Sequence, residues 1–245
     1  MSWEYPTEEE WKEIYRSFPA ADIVFSEYDF NFAQKKGLEG LNQLTTIKEI
    51  NAWIMALENK WKDVARSYVM MKFYYDKGIP DKPYFISPGR KGESVEYFPN
   101  FKKVHYVRKD AFDFYADVYF FKVFSAFDGL WQLFNVYFKC GLDIHKVTFE
   151  SLCKRLEDKK TADHLRIILA DERYGESNKI RNAFVHRLPP QAQGPGISRK
   201  ENTIGFGISE YTSSKQIAET AHRLLSYCVE THEKIRTLFR ANPVK

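Results

Sequence analysis

Cysteine is scarce in this chain. Cys140, Cys153 and Cys228 stand far apart, with no C-x-x-C pair among them. That spacing offers neither a disulfide framework nor a zinc knuckle, and it predicts three buried thiols. Long apolar runs are missing as well. The longest is Ala52-Trp53-Ile54-Met55-Ala56-Leu57, against the roughly 20 residues a bilayer span requires, so no membrane-crossing segment is predicted. Where a secretory leader would carry basic and then apolar residues, the start of the chain carries Glu4, Glu8, Glu9, Glu10 and Glu13. The expectation is a cytoplasmic protein. No G-x-x-x-x-G-K-[ST] phosphate loop occurs, and there is no internal repeat or low-complexity tract.

Aromatics, by contrast, reach 16% of 245 residues, far too much apolar surface for a disordered chain. Charge is uneven. Residues 151–245 carry 17 Lys+Arg against 11 Asp+Glu, a net +6, whereas residues 1–150 carry 20 against 22. A basic C-terminal part suits a polyanionic partner, and it equally suits a solvated surface.

Helical signals dominate the pattern. Thr7-Glu8-Glu9-Glu10 is a capping box opening a short helix that ends near Phe18-Pro19, and a weaker helical stretch covers 21–34. A long helix is predicted from Thr45 or Thr46 to Lys77. Its stripe of Ile50, Trp53, Ile54, Leu57, Trp61, Val64, Tyr68 and Met71 has the three-and-four spacing of a buried face, and Gly78 is its stop. Residues 79–106 hold four prolines and read as a loop or β-hairpin insertion. The next helix, about 108–139, carries twelve aromatics on nearly every face, which predicts a central core helix surrounded by partners. A short helix follows Thr148, and an element spans 161–187 with an interruption near Gly175. Pro189-Pro190 ends it, a Gly/Pro/Ser-rich loop fills 189–213 with one short extended pair near 204–208, and a last helix runs from Ser214 to Arg240. The fold class expected is all-α, an antiparallel helical bundle with a Pro/Gly-rich loop or hairpin insertion, forming a single domain over 1–245.

The chemistry-bearing stretch is Lys179-Ile180-Arg181-Asn182-Ala183-Phe184-Val185-His186-Arg187-Leu188-Pro189. On a helix, Ile180, Phe184 and Leu188 make one apolar edge, with Asn182 and His186 on the opposite side. Arg181 lies about 140° round the axis from His186, so one helix does not converge its own Arg and His. Two copies packed across a two-fold axis would. The stretch resembles the HEPN superfamily of helical-bundle proteins, rich in RNA-cleaving toxins and defence nucleases. Its signature is an Arg, then a polar residue, then a His four to six residues on. Arg181, Asn182 and His186 carry that resemblance.

The resemblance implies a homodimer with a composite cleft and a metal-independent endoribonuclease in a toxin or defence context, held in check by an inhibitory protein partner. No cofactor is expected. Imidazole exchanges protons near neutral pH, and guanidinium grips two phosphate oxygens at once. His186, in the last turn of its helix, is favoured as imidazolium by the helix C-terminus. Asn182 would orient His186 or the phosphate, while Lys179 and Arg187 would add RNA phosphate contacts.

Two other classes stand beside this one. A HEPN-like module could bind nucleic acid, nucleotide or a protein without cutting. A metal-carboxylate bundle enzyme could use Glu219 and His222 with Asp110, Asp113, Asp117 and Asp128, but the second Glu-x-x-His such a site needs is missing. His232, between Thr231 and Glu233, is expected to face solvent.

Overall fold

The computed structural model describes residues 3–17, 40–157, 159–186, 189–192, 195–200 and 203–241. Among these the protein is all-α, with seven α-helices and two small hairpins. Helix α1 spans Glu8–Arg16, and its capping box forms as expected: the Glu10 amide donates to Thr7 Oγ1 at 3.2 Å and the Thr7 amide to Glu10 Oε2 at 2.7 Å. The predicted 21–34 helix lies outside the described residues.

Helix α2 (Gly40–Asp76) begins earlier than its pattern implied. It stops where Gly78 takes φ +86°, a conformation that strains any residue with a Cβ. The insertion folds as a small hairpin, β1 (Phe85–Ile86) against β2 (Glu96–Tyr97). Helix α3 (Lys103–Tyr137) follows, then a 3-10 turn at Ile144–Lys146 and α4 (Phe149–Arg155), capped by Thr148.

The 161–187 element divides into α5 (Lys159–Leu169) and α6 (Glu172–His186). The break falls at Asp171 rather than Gly175. The Asp171 carboxylate accepts the Arg173 amide at 2.9 Å and so satisfies a donor at the new helix start. Gly175 lies within the helix. Among the described residues of 189–213, the expected short extended pair is a longer hairpin. Strands β3 (Pro195–Lys200) and β4 (Thr203–Ile208) pair along their full length in antiparallel register, Pro195 with Ile208 and Lys200 with Thr203. Helix α7 covers Ser214–Ala241.

The chain divides into two compact units. The first is Met1–Tyr15, Ser67–Phe120 and Ser177–His222. Its core holds Tyr68, Met71, Tyr74, Phe112, Tyr119, Phe120 and Ile217. The Tyr119 ring lies 5.6 Å from that of Tyr68, and its hydroxyl donates to the Ala221 carbonyl at 2.9 Å. This bond joins α3 to α7 and satisfies a buried hydroxyl.

The second unit is Arg16–Arg66, Phe121–Glu176 and Arg223–Lys245. Leu57, Val64, Phe127, Trp131, Leu152, Leu165 and Leu224 fill it. The Tyr227 hydroxyl donates to the Ile168 carbonyl at 3.0 Å. Gly129 brings α3 close to α2: a Cβ there would sit 3.1 Å from Leu57 Cδ2. All three cysteines are buried and free, as their spacing predicted. The aromatic helix is not enclosed on every side, since Phe114 and Phe121 keep 51% and 54% of their surface exposed.

Candidate functional site on helix α6

Helix α6 is anchored at its start by Arg173. This guanidinium donates to Asp171 Oδ2 and to Glu230 Oε2, each at 2.7 Å. The paired hydrogen bonds hold the Asp171 and Glu230 carboxyls below their ordinary range. On the inward side Ser177 is fully buried, and Ile180 and Phe184 are half-buried. The Phe184 ring stands 6.1 Å from Phe120 of α3. The predicted apolar edge is therefore the packed one, although Leu188 lies outside the described residues.

The motif residues occupy the rest of the helix. Arg181 is half-buried, and its Nη2 donates to Asn178 Oδ1 at 2.9 Å. That contact spans one turn, the i, i+3 spacing at which helix side chains meet. Asn182 is half-buried and Lys179 is exposed. His186 is the last residue of α6, and only its backbone is described. Arg187 lies outside the described residues. Sequence reading did not single out Asn178. The signal available was its place one turn before Arg181. Five positions apart on a regular helix, Arg181 and His186 are separated by about 140° and about 7.5 Å of rise.

Beyond α6 the chain is tied down again. The Ala192 amide donates to the Pro189 carbonyl at 2.9 Å, and the Thr212 amide to the Pro190 carbonyl at 2.8 Å. Gln191 is buried.

The residues of the metal-carboxylate alternative are dispersed among other partners. His222 Nδ1 lies 3.1 Å from the Tyr68 hydroxyl, and Glu219 is 3.8 Å from Lys215. Asp110 accepts from Trp3 Nε1 at 3.2 Å. Asp113 pairs with the buried Lys109 at 2.6 Å, and burial pushes its carboxyl up to about 6 against the pull of that ammonium. Asp117 and Asp128 are exposed. Among the described residues, no group of three or more His, Cys, Asp or Glu is gathered as a metal would need. His232 was expected at the surface. It is buried instead, and burial depresses its imidazole to about 4.

These features, a helical bundle with an Arg-Asn-x-x-x-His motif on a late helix, define a HEPN-type domain. The model of the Cthe2314-like HEPN family matches residues 53–241, and the chain belongs to the HEPN family. No curated protein and no solved structure matches the chain. No helix among the described residues is long and apolar enough to cross a membrane.

Proposed function

We propose that this HEPN protein is a metal-independent endoribonuclease acting as a homodimer, with residues 1–245 as its single domain. The observation that carries the reading is Arg181-Asn182-x-x-x-His186 on one helix of a HEPN domain. RNA supplies its own nucleophile. His186 takes the proton from a 2′-hydroxyl as that oxygen attacks phosphorus. The P–O5′ bond breaks, and the imidazolium of the second copy's His186 gives its proton to the leaving 5′-oxygen. The products are a 2′,3′-cyclic phosphate and a 5′-hydroxyl.

Arg181 stabilises the charge that builds on the phosphorane. Its half-buried position and its bond to Asn178 favour this role, because a pre-oriented guanidinium loses less freedom on gripping phosphate. Asn182 orients His186 or the phosphate, and Lys179 and Arg187 contact the RNA backbone. The angle between Arg181 and His186 on one helix is the reason for two copies. An unrestrained ribonuclease in the cytoplasm is a hazard to its host, so a toxin or defence role with an inhibitory protein partner accompanies the activity.

The test is incubation of the purified protein with RNA in EDTA. Fragments ending in cyclic phosphate are expected. Arg181→Ala should lower the rate by about 10²–10³-fold, and His186→Ala by about 10²–10⁴-fold. Undiminished cleavage by both folded variants would refute the assignment. Salt-sensitive RNA binding with no cleavage would favour the non-catalytic module.

A further inference from the structure

The Pro-rich insertion and the end of helix α6 are linked through one buried carboxylate. Asp81, at the start of the insertion, is only 3% exposed. A buried carboxylate is costly unless it is hydrogen-bonded. Asp81 Oδ2 accepts from the Tyr211 hydroxyl at 2.6 Å and from the Ser214 amide at 2.7 Å. Ser214 is the first residue of α7, so the carboxylate also meets the positive end of a 28-residue helix and one of its orphan donors.

Aromatic stacking fixes the geometry further. Tyr211 lies parallel on Tyr84 at 4.2 Å, and Phe98 meets it edge-on at 5.6 Å. Both Tyr84 and Phe98 come from the insertion. The Lys109 ammonium, paired with Asp113, sits 5.5 Å from the Tyr211 ring.

Between the two groups that Asp81 holds lies Thr212, whose amide donates to the Pro190 carbonyl. Pro190 stands four residues after His186. We propose that Asp81 is a positioning residue for the α6 site: it clamps residues 211–214, which in turn anchor the chain leaving the C-terminal end of α6. The catalytic half of this statement rests on the ribonuclease reading, and the mechanical half does not. The insertion is thereby a brace for His186, reached through Tyr211, Ser214 and the Thr212–Pro190 bond.

Two variants separate this brace from general stability. Asp81→Asn weakens both bonds. Tyr211→Phe removes one of them and keeps the ring stack, so it tests the clamp with a smaller disturbance of the fold than Asp81→Asn. Tyr119→Phe is the control: it keeps its ring and loses a more deeply buried hydroxyl bond in the same unit, made to the Ala221 carbonyl rather than to residues 211–214. Amide hydrogen exchange is measured on the full-length protein well below its melting temperature, with kcat and KM for RNA cleavage alongside.

Tyr211→Phe is expected to speed exchange at Ala192 and Thr212 by roughly tenfold or more. It should lower kcat by roughly ten- to hundredfold, as expected when a reacting group is displaced by about 1 Å, and leave KM within about twofold. Tyr119→Phe should change neither the exchange at those amides nor kcat. If Tyr211→Phe leaves that exchange unchanged, the brace is overturned whether or not the protein cleaves RNA. If exchange rises while kcat holds, the positioning role is overturned and the clamp is purely structural. Should the wild-type protein prove inactive, the ribonuclease reading falls, while the exchange data still decide the clamp.

Discussion

At the scale of single residues, burial sets two titrations against each other. Asp113 has its pKa raised to about 6 by burial. Between its unfolded value near 4 and 6, the folded state holds the proton more tightly, so this group's contribution to stability is lost as pH rises. His232 has its pKa lowered to about 4 by burial. Between pH 4 and its unfolded value near 6.5 the unfolded chain binds the extra proton, so this contribution grows as pH rises. The two slopes oppose one another over most of that window.

Urea titrations at pH 4.5, 5.5 and 6.5 check this. Asp113→Asn should steepen the rise in stability with pH, and His232→Gln should flatten it or reverse its sign. Parallel profiles for both variants and the wild-type protein would contradict the assignments. His232 also marks where sequence reading failed at this scale. A His between Thr231 and Glu233 looks like a solvent-facing residue, and only the packing that covers it makes it interior.

Among the elements, helices with a strong apolar period and a glycine stop were legible. Helix α2 ends beside Gly78, and α3 ends just before Gly141. Thr7 and Thr148 mark helix starts because their hydroxyls satisfy backbone donors locally. The α5–α6 break was misplaced because a glycine attracted the boundary, whereas Asp171 made it by capping. Strand β4 shows its alternation in Ile204-Gly205-Phe206-Gly207-Ile208, yet glycine and proline around it read as loop. The Asp81 clamp was beyond sequence reading, since its partners lie 130 and 133 residues away.

Element packing also makes a stability expectation at Gly129. Its absent Cβ lets α3 approach Leu57 and Lys60, at 3.1 and 3.3 Å from where that atom would stand. Gly129→Val should therefore cost about 1–3 kcal/mol through overpacking, read as a lower urea midpoint at unchanged slope. A higher midpoint would show that α3 can shift to make room.

For the whole molecule, the family assignment settles the fold type, and the proposed chemistry falls on α6. The reach of a single helix does not bring Arg181 and His186 together. The account therefore depends on assembly, with two chains of 28.9 kDa meeting at α6 so that each supplies a guanidinium and an imidazole to one cleft. A basic C-terminal part, net +6 over 151–245, would draw RNA towards it, and cleavage should weaken as salt rises. One cooperative unfolding transition, with equal calorimetric and van't Hoff enthalpies, is the outcome expected of a single domain.

The most direct measurement follows RNA cleavage per subunit in EDTA across a dilution series, with solution mass recorded by light scattering on the same samples. The shared-cleft account expects a mass of twice 28.9 kDa at high concentration and a specific activity that falls in step with the dimer fraction. A monomer that cleaves RNA at undiminished specific activity would contradict it.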